Sequence, residues 1–326
     1  MVERIFQCAL LPTLLAATVA YAEVPPWKPQ DNVEIIVGAG PGGGNDNVAR
    51  LMQKILQGKR LLDASTVVNK AGGGGAIAYG YLNQRRGNAA CVAIASNTLL
   101  TGHITGLGAL NYTDFTPLAI MINEYIGFVV RPDSQVKNGV DLIAKLKADP
   151  RSIAFGISTS LGNINHIAVA VVARAAGIDP KRLKVAVFDS SASSITAVLG
   201  GHIDVVAGPP SISANHVEAG KLRMIGVTSP QRVRGVLAGQ ATWREQGIDA
   251  VVVNWRGVLG TKGLGAPQIA FWDATLSQLA KSDEWDRELA RNLWENAYTD
   301  SAHASAYIKT QYAELGAILR ELGFVK

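Results

Sequence analysis

The sequence is almost without cysteine: only Cys8 and Cys91 occur in 326 residues, and Cys8 falls in a leader that reads as removed. The mature chain then has one thiol and no intramolecular disulfide. Cys91 sits within the apolar run 89–95, so it reads as an inert core thiol on a buried strand. A lipoprotein reading of Cys8 fails because that residue precedes the leader's apolar run instead of ending it. Histidine is also scarce. His103, His166, His202, His216 and His303 show no metal-ligand spacing and no H-E-x-x-H, and no G-x-S-x-G elbow occurs, which removes the usual metal and serine hydrolase signatures. A triad assembled through space stays open. Aromatic residues make up 6% and the basic residues form no dense run, so stacking and phosphate tracking on nucleic acid are not expected.

Past the N-terminus no apolar run reaches the roughly 20 residues needed to cross a bilayer. The first 22 residues have the three parts of a secretory signal: a polar start with Arg4, an apolar run over about 9–20, and Ala20-Tyr21-Ala22 as the cleavage site. Cleavage after Ala22 and a periplasmic location are expected. About 300 residues remain, more than one hydrophobic core usually takes, so two domains are expected. The formal charge of +5 is uneven. Residues 127–253 hold 14 Lys and Arg against 9 Asp and Glu, while the flanking mature segments balance. That excess is scattered, as on a solvated surface, with attraction of an anion as a secondary effect.

Short Val- and Ile-rich runs alternate with helical patterns, the sign of parallel sheets covered by helices. In the first unit, residues 33–37 read as a strand and 38–44 as a loop. Val48, Leu51, Met52, Ile55 and Leu56 then fall on one helical face, with Asn45 or Asp46 as the N-cap. Further strands are expected at 66–68, 91–95, 126–130, 153–157, 183–188, 203–207, 224–228 and 251–259, and the last 60 residues read as mostly helical. No flexible linker separates two halves. The simplest joint is a pair of crossing strands, 126–130 outward and 251–259 returning. The fold class is therefore α/β with two lobes joined by crossing strands: lobe 1 from 23–126 and 254–326, lobe 2 from 127–253. Ligands favour the cleft such lobes enclose, near the C-terminal ends of parallel strands.

Two glycine-rich loops follow strands and open helices. The first runs over 38–46 and contains Pro41, Gly42, Gly43, Gly44 and Asp46; the second runs over 69–75 with Ala71, Gly72, Gly73 and Gly74. Glycine lets the backbone approach a ligand without a Cβ, and free N–H groups at a helix start suit an anion. The G-x-G-x-x-G spacing at Gly38, Gly40 and Gly43 also fits a dinucleotide site. That reading expects an acid at the end of the second strand, where Asn69-Lys70 stands instead. No Gly-Lys-Ser/Thr follows for a P-loop. Two adjacent glycine-rich helix starts instead suit one carboxylate gripped from both sides.

The ordered motifs carry a resemblance. Pro41-Gly42-Gly43-Gly44-Asn45-Asp46-Asn47-Val48-Ala49-Arg50, the glycine run after Asn69, the Gly200-Gly201-His202-Ile203-Asp204 turn, the segment 219–232 with its Gly-Lys-Leu-Arg and Val-Thr-Ser, and Trp255-Arg256-Gly257 together resemble the Bug-type receptors. These are extracytoplasmic binding proteins of tripartite tricarboxylate transporters. The resemblance spans essentially the whole mature chain and implies a periplasmic-binding-protein fold closing on a small carboxylic acid, monomeric, without cofactor or metal, and passed to the membrane components of a transporter. In that family the first-lobe loops hold a carboxylate through backbone N–H groups and ordered waters. Carried over, the first-lobe site is Pro41, Gly42, Gly43, Gly44, Asp46, Ala71, Gly72, Gly73, Gly74, Ser96 and Asn97. The second-lobe site is Ser158, Thr159, Ser160, Asn163, His166, Asp189, Ser190, Ser191 and Asp204.

Two departures bear on the ligand. The family's Gly-x-Gly-Ser is Ser160-Leu161-Gly162-Asn163 here, and its Tyr-Lys-Gly is Phe188-Asp189-Ser190, an acid where a base is common. If Asp189 faces the cleft, it favours an acid that also carries an amino or hydroxyl donor; alternatively it is a helix N-cap. Ser160 or Asn163 could likewise cap a helix, and His166 reads more readily as a core hydrogen-bonding residue than as a ligand contact. Three other functions remain to be weighed: a secreted hydrolase, a dinucleotide-binding enzyme, and a ligand-sensing adaptor for a membrane signalling protein.

Overall fold

The computed structural model describes residues 27–158 and 160–325. The leader and the candidate site residue Thr159 lie outside the described residues. The chain opens with three strand-to-helix units: β1 (Val33–Val37) and α1 (Gly44–Gly58), β2 (Ser65–Asn69) and α2 (Ala76–Asn83), and β3 (Cys91–Ser96) and α3 (Asn97–Ile104). In α1 the expected apolar stripe buries Val48, Met52, Ile55 and Leu56 against the sheet. Each such side chain contributes about 1.5–3 kcal/mol relative to exposure. Cys91 is a buried free thiol, and burial beside the Glu34 carboxylate pushes it above the ordinary thiol range.

The chain then continues through β4 (Thr116–Tyr125), β5 (Gly127–Val130), α4 (Gly139–Ala148), β6 (Ala154–Ser158), α5 (Ile164–Ala175), β7 (Lys184–Phe188), α6 (Ser191–Leu199), β8 (Val205–Gly208), α7 (Pro210–Glu218) and β9 (Arg223–Val227). It ends with β10 (Val253–Gly260), α8 (Ala266–Ala280), α9 (Asp283–Asn292), β11 (Glu295–Thr299) and α10 (Ser301–Glu321). One sheet has the order β11-β4-β10-β3-β1-β2 and the other β7-β6-β8-β5-β9. Two α/β lobes result, and the chain passes between them at Ile126 and again between β9 and β10.

The sheets are mixed, where the alternation of strands and helices had suggested parallel ones. The β1 strand is parallel to β2 and β3, but β10 runs antiparallel to β3 and β4, and β5 antiparallel to β8 and β9. Two strands went unrecognised in the sequence. β4 lies ahead of the expected outward crossing and pairs along its length with β10. β11 is a short, half-exposed edge strand in a tail read as helical.

Thr228, wholly buried, ties the two crossings together. Its hydroxyl accepts from Ile126 N at 3.0 Å and donates to Val252 O at 2.8 Å, while its own N–H donates to Ile126 O at 2.9 Å. The joint between lobes is therefore a hydrogen-bonded clasp, which accounts for the absence of a glycine- or serine-rich linker.

Candidate functional site

Parallel pairing of β1 with β2 and β3 brings three helix starts to one edge of the first lobe. The N-caps of α1, α2 and α3 are Gly43, Gly75 and Ser96, and none receives a side-chain capping bond. Of the other helices, α4, α5, α6, α9 and α10 are capped by Asn138, Asn163, Ser190, Ser282 and Asp300, each accepting from the third residue beyond, while α7 and α8 start at Pro209 and Gly265 without a side-chain cap. The expectation that Asn45 or Asp46 caps α1 is therefore wrong. Both sit inside the first turn, with their side chains engaged elsewhere.

The two glycine loops touch. A Cβ on Gly38 would lie 2.9 Å from the Cα of Gly75, so only glycine allows this approach. Gly72, Gly73, Gly74 and Gly75 all have positive φ (128°, 56°, 63° and 98°), a run that side-chain-bearing residues rarely adopt. Asp46 braces the arrangement from within. Its Oδ2 accepts from Gly42 N and Arg50 Nε, both at 2.8 Å, and its Oδ1 from Asn69 Nδ2 at 2.8 Å. Burial pushes this carboxyl up, but the bonds from Arg50, Gly42 and Asn69 outweigh it and hold it below the usual range. Asn69 also donates to Ala39 O at 2.9 Å, joining the second strand's end to the first loop. Asp46 thus shapes the loop, and its buried, occupied carboxylate does not fit the ligand-contact role given it from the sequence.

Ser96 ends β3, one residue beyond the strand expected from the sequence, Asn97 follows it, and both are buried. Asn97 Nδ2 donates to Val253 O at 3.0 Å on the returning crossing, while its Oδ1 has no partner. Ser96 Oγ lies 3.5 Å from Asn45 Nδ2 and 3.0 Å from Thr98 Oγ1.

The second lobe presents Ser158 at the C-terminal end of β6. Its Oγ accepts from Asn165 Nδ2 at 2.9 Å and from Ser191 Oγ at 3.1 Å, which joins the starts of α5 and α6. Ser160 N donates to Ser158 O at 3.0 Å, and Asn163 Nδ2 donates to the same carbonyl. Asn163, not Ser160, caps α5, accepting from His166 N at 3.0 Å. His166 Nδ1 accepts from Gly162 N at 3.0 Å and its ring meets Phe324 edge-on. Burial lowers its pKa to about 4, so it is neutral and holds the loop. Ser190 caps α6 in a capping box with Ser193, so Asp189 is not the cap; it stands exposed one residue earlier.

Asp204 lies at the wrong end of its sheet. It precedes β8, and its Oδ2 accepts from Ala154 N at 2.7 Å at the start of β6, while the cleft-facing loops follow the strands' C-terminal ends. The family's G-G-x-x-D turn is structural here.

A buried charged network went unseen in the sequence because its members lie far apart in it. Arg256 on β10 donates from Nη2 to Glu124 Oε2 at 2.8 Å and from Nε to Asn45 Oδ1 at 3.0 Å. A Cβ on Gly44 would lie 2.3 Å from Arg256 Nη2, so the guanidinium packs against the first turn of α1. Glu124 also accepts from Trp294 Nε1 at 3.0 Å, Asn254 Nδ2 at 3.1 Å and Ser211 Oγ of α7 at 3.4 Å. The network runs from the first glycine loop, through the joint, to the second lobe. Among the described residues no cluster of acidic, His or Cys side chains could hold a metal, and no helix is long and apolar enough to cross a membrane.

Comparison with known proteins agrees with this architecture. A UPF0065 protein in the gbd 5' region of Cupriavidus necator is 24% identical over 314 residues, covering 96% of this chain and 93% of its own. BugT of Bordetella pertussis is 24% identical over 274 residues, covering 82% and 81%. The crystal structure of a TctC solute-binding protein from Polaromonas superposes with a TM-score of 0.74 at 25% identity, over 90% of this chain and 99% of that one. The family described as tripartite tricarboxylate transporter family receptor matches residues 48–324. With two lobes, clasped crossings and the motif order all in agreement, the chain belongs to the TctC family of tripartite tricarboxylate transporter receptors.

Proposed function

We propose that the protein is a periplasmic receptor that captures a small carboxylic acid between its lobes and presents it, as a monomer, to the membrane components of a tripartite transporter, without transforming it. The carrying observation is the convergence of three helix starts that have no side-chain cap, at a chain edge where two glycine loops touch. Such N–H groups and helix dipoles favour a carboxylate. The family description and the leader, with cleavage after Ala22, support export and delivery. The first lobe is taken as 23–126 with 254–326 and the second as 127–253; the strand membership of the two sheets supports this division to within one residue, Val253, which opens β10 of the first sheet. On this reading Gly42, Gly43, Gly44, Ala71, Gly72, Gly73 and Gly74 supply the backbone grip beside Pro41, and Ser158, Ser160, Ser190 and Ser191 meet the rest of the ligand. His166 is buried with its Nδ1 taken up by the Gly162 amide, a loop-holding role that supports binding without transformation.

The test is a thermal-shift and calorimetric screen of carboxylic acids against the mature protein and Gly38→Ala. The added methyl group meets the Gly75 backbone and pushes the two loops apart. Losing one charge-assisted N–H bond costs about 1.5–3 kcal/mol, so affinity falls at least about tenfold. Ester and amide substrates are not turned over. Unchanged affinity in the variant, or no stabilisation of the parent by any acid, refutes the reading.

A further inference from the structure

A cavity of about 490 Å³ lies between the lobes, walled by α5 on one side and α10 on the other, with Val251, Val252 and Val253 of the returning crossing as its floor. Its volume is within the range of about 300–1,000 Å³ typical of small-molecule pockets. The α5 wall is Ile164, Ile167 and Val171, at the three- and four-residue spacing of one helical face. Leu315 and Ile318 of α10 face them. The charged and polar lining residues of the two helices, Arg174, Gln311 and Glu314, are partly or fully exposed. From Ile164 to Arg174 the α5 wall is about 15 Å long at the helical rise of about 1.5 Å per residue.

The end of the cavity at Asn97 and Ile164 adjoins the candidate site. Asn97 is the first residue of α3, one of the three uncapped starts that converge at the edge of the first lobe, and Ile164 directly follows the α5 cap Asn163. Asn97 is 2% exposed, and its Oδ1 is the one buried polar atom among the lining side chains that has no partner. The space is therefore polar where it meets the start of α3 at Asn97, apolar between Ile164, Ile167, Val171, Leu315 and Ile318, and polar again at its exposed rim of Arg174, Gln311 and Glu314.

We infer that the ligand is a carboxylic acid with an extended apolar body, its carboxylate at the helix starts and its chain or ring lying between α5 and α10. The inference rests on the carboxylate reading above and narrows it. A compact, uniformly polar tricarboxylate would leave these walls against water. An apolar body instead touches both lobes at once, so its burial favours their approach.

The experiment titrates the mature full chain with sodium acetate, butanoate, hexanoate and octanoate by calorimetry. It compares the parent with Ala317→Trp, which fills the cavity from an exposed position on α10, and Ile318→Ser, which makes its wall polar. Both positions lie away from the three helix starts. Affinity should rise about fourfold for each buried methylene in the parent, and both variants should lose that increment while keeping the parent's affinity for acetate. Equal affinity along the series, or increments that persist in both variants, overturns the apolar-body inference and leaves the carboxylate site standing. Failure of every acid to bind overturns the carboxylate reading and this inference with it.

Discussion

Replacing Arg256 by Met tests the buried network that joins the first glycine loop to the second lobe. The substitution keeps an unbranched side chain but strands Glu124, 2% exposed, without the guanidinium that donates to it at 2.8 Å. Removing one partner of a buried ion pair costs about 3–5 kcal/mol, because the remaining charge loses its compensation. Three neutral donors still reach Glu124, from Trp294, Asn254 and Ser211, so a loss near the lower limit, about 3 kcal/mol, is expected. In Arg256→Met with Glu124→Gln the charge is removed together with its cation. The glutamine oxygen still accepts from Trp294 and Ser211, and its NH2 can donate to Asn254 once that amide turns its oxygen inward, so stability should return to within about 1 kcal/mol of the parent. Urea unfolding followed by tryptophan fluorescence gives the free energies of the parent, Arg256→Met, Glu124→Gln and the double variant, and Trp294, bonded to Glu124 Oε1, reports from the site itself. A double variant as unstable as the sum of the two single ones would refute the reasoning, since it would mean that no coupling exists. Ligand affinity separates a second role. Arg256 Nε holds Asn45 in the first turn of α1, so the stable double variant should still bind its acid more weakly than the parent.

Two further outcomes follow from the site. His166 is held neutral by burial down to about pH 4, while in the unfolded chain it takes up a proton near its ordinary 6.5. The folded-state value is the lower one, so its contribution to stability is present above about pH 6.5 and is lost as the pH falls towards 4, by about 3 kcal/mol at most. His166→Gln should flatten that part of the stability profile, measured by urea unfolding at pH 7, 5 and 4; identical slopes in parent and variant would contradict it. Asp189→Ala should weaken binding of an acid that carries an amino group and leave a plain dicarboxylate unchanged, measured by calorimetry. Equal losses for both ligands would show that Asp189 does not face the ligand.

Legibility differed from element to element for physical reasons. The α1 stripe and the glycine loops could be read directly, because helical period and positive-φ turns are local properties of the chain. β4 was missed because its apolar run merges into the crossing, and β11 because a short polar edge strand exists only through its pairing with β4. Asp204 was expected at the site because of its motif. Its position before β8 turned it away from the cleft and onto the Ala154 amide. Glu124 and Ser211 gave no local signal, and the motif that contains Arg256 did not reveal its ion pair, since their partners lie 87 to 211 residues away.

The sequence by itself determined the two-lobed α/β class, the crossing between lobes and the anion-suited helix starts, all of which rest on local pattern and on the order of motifs. Only the tertiary structure decided which of those side chains turn inward to hold loops, as Asp46, Asn163 and His166 do, and which helix starts stay uncapped. It alone placed an apolar cavity between α5 and α10, because a cavity is a property of surfaces that come together from distant parts of the chain.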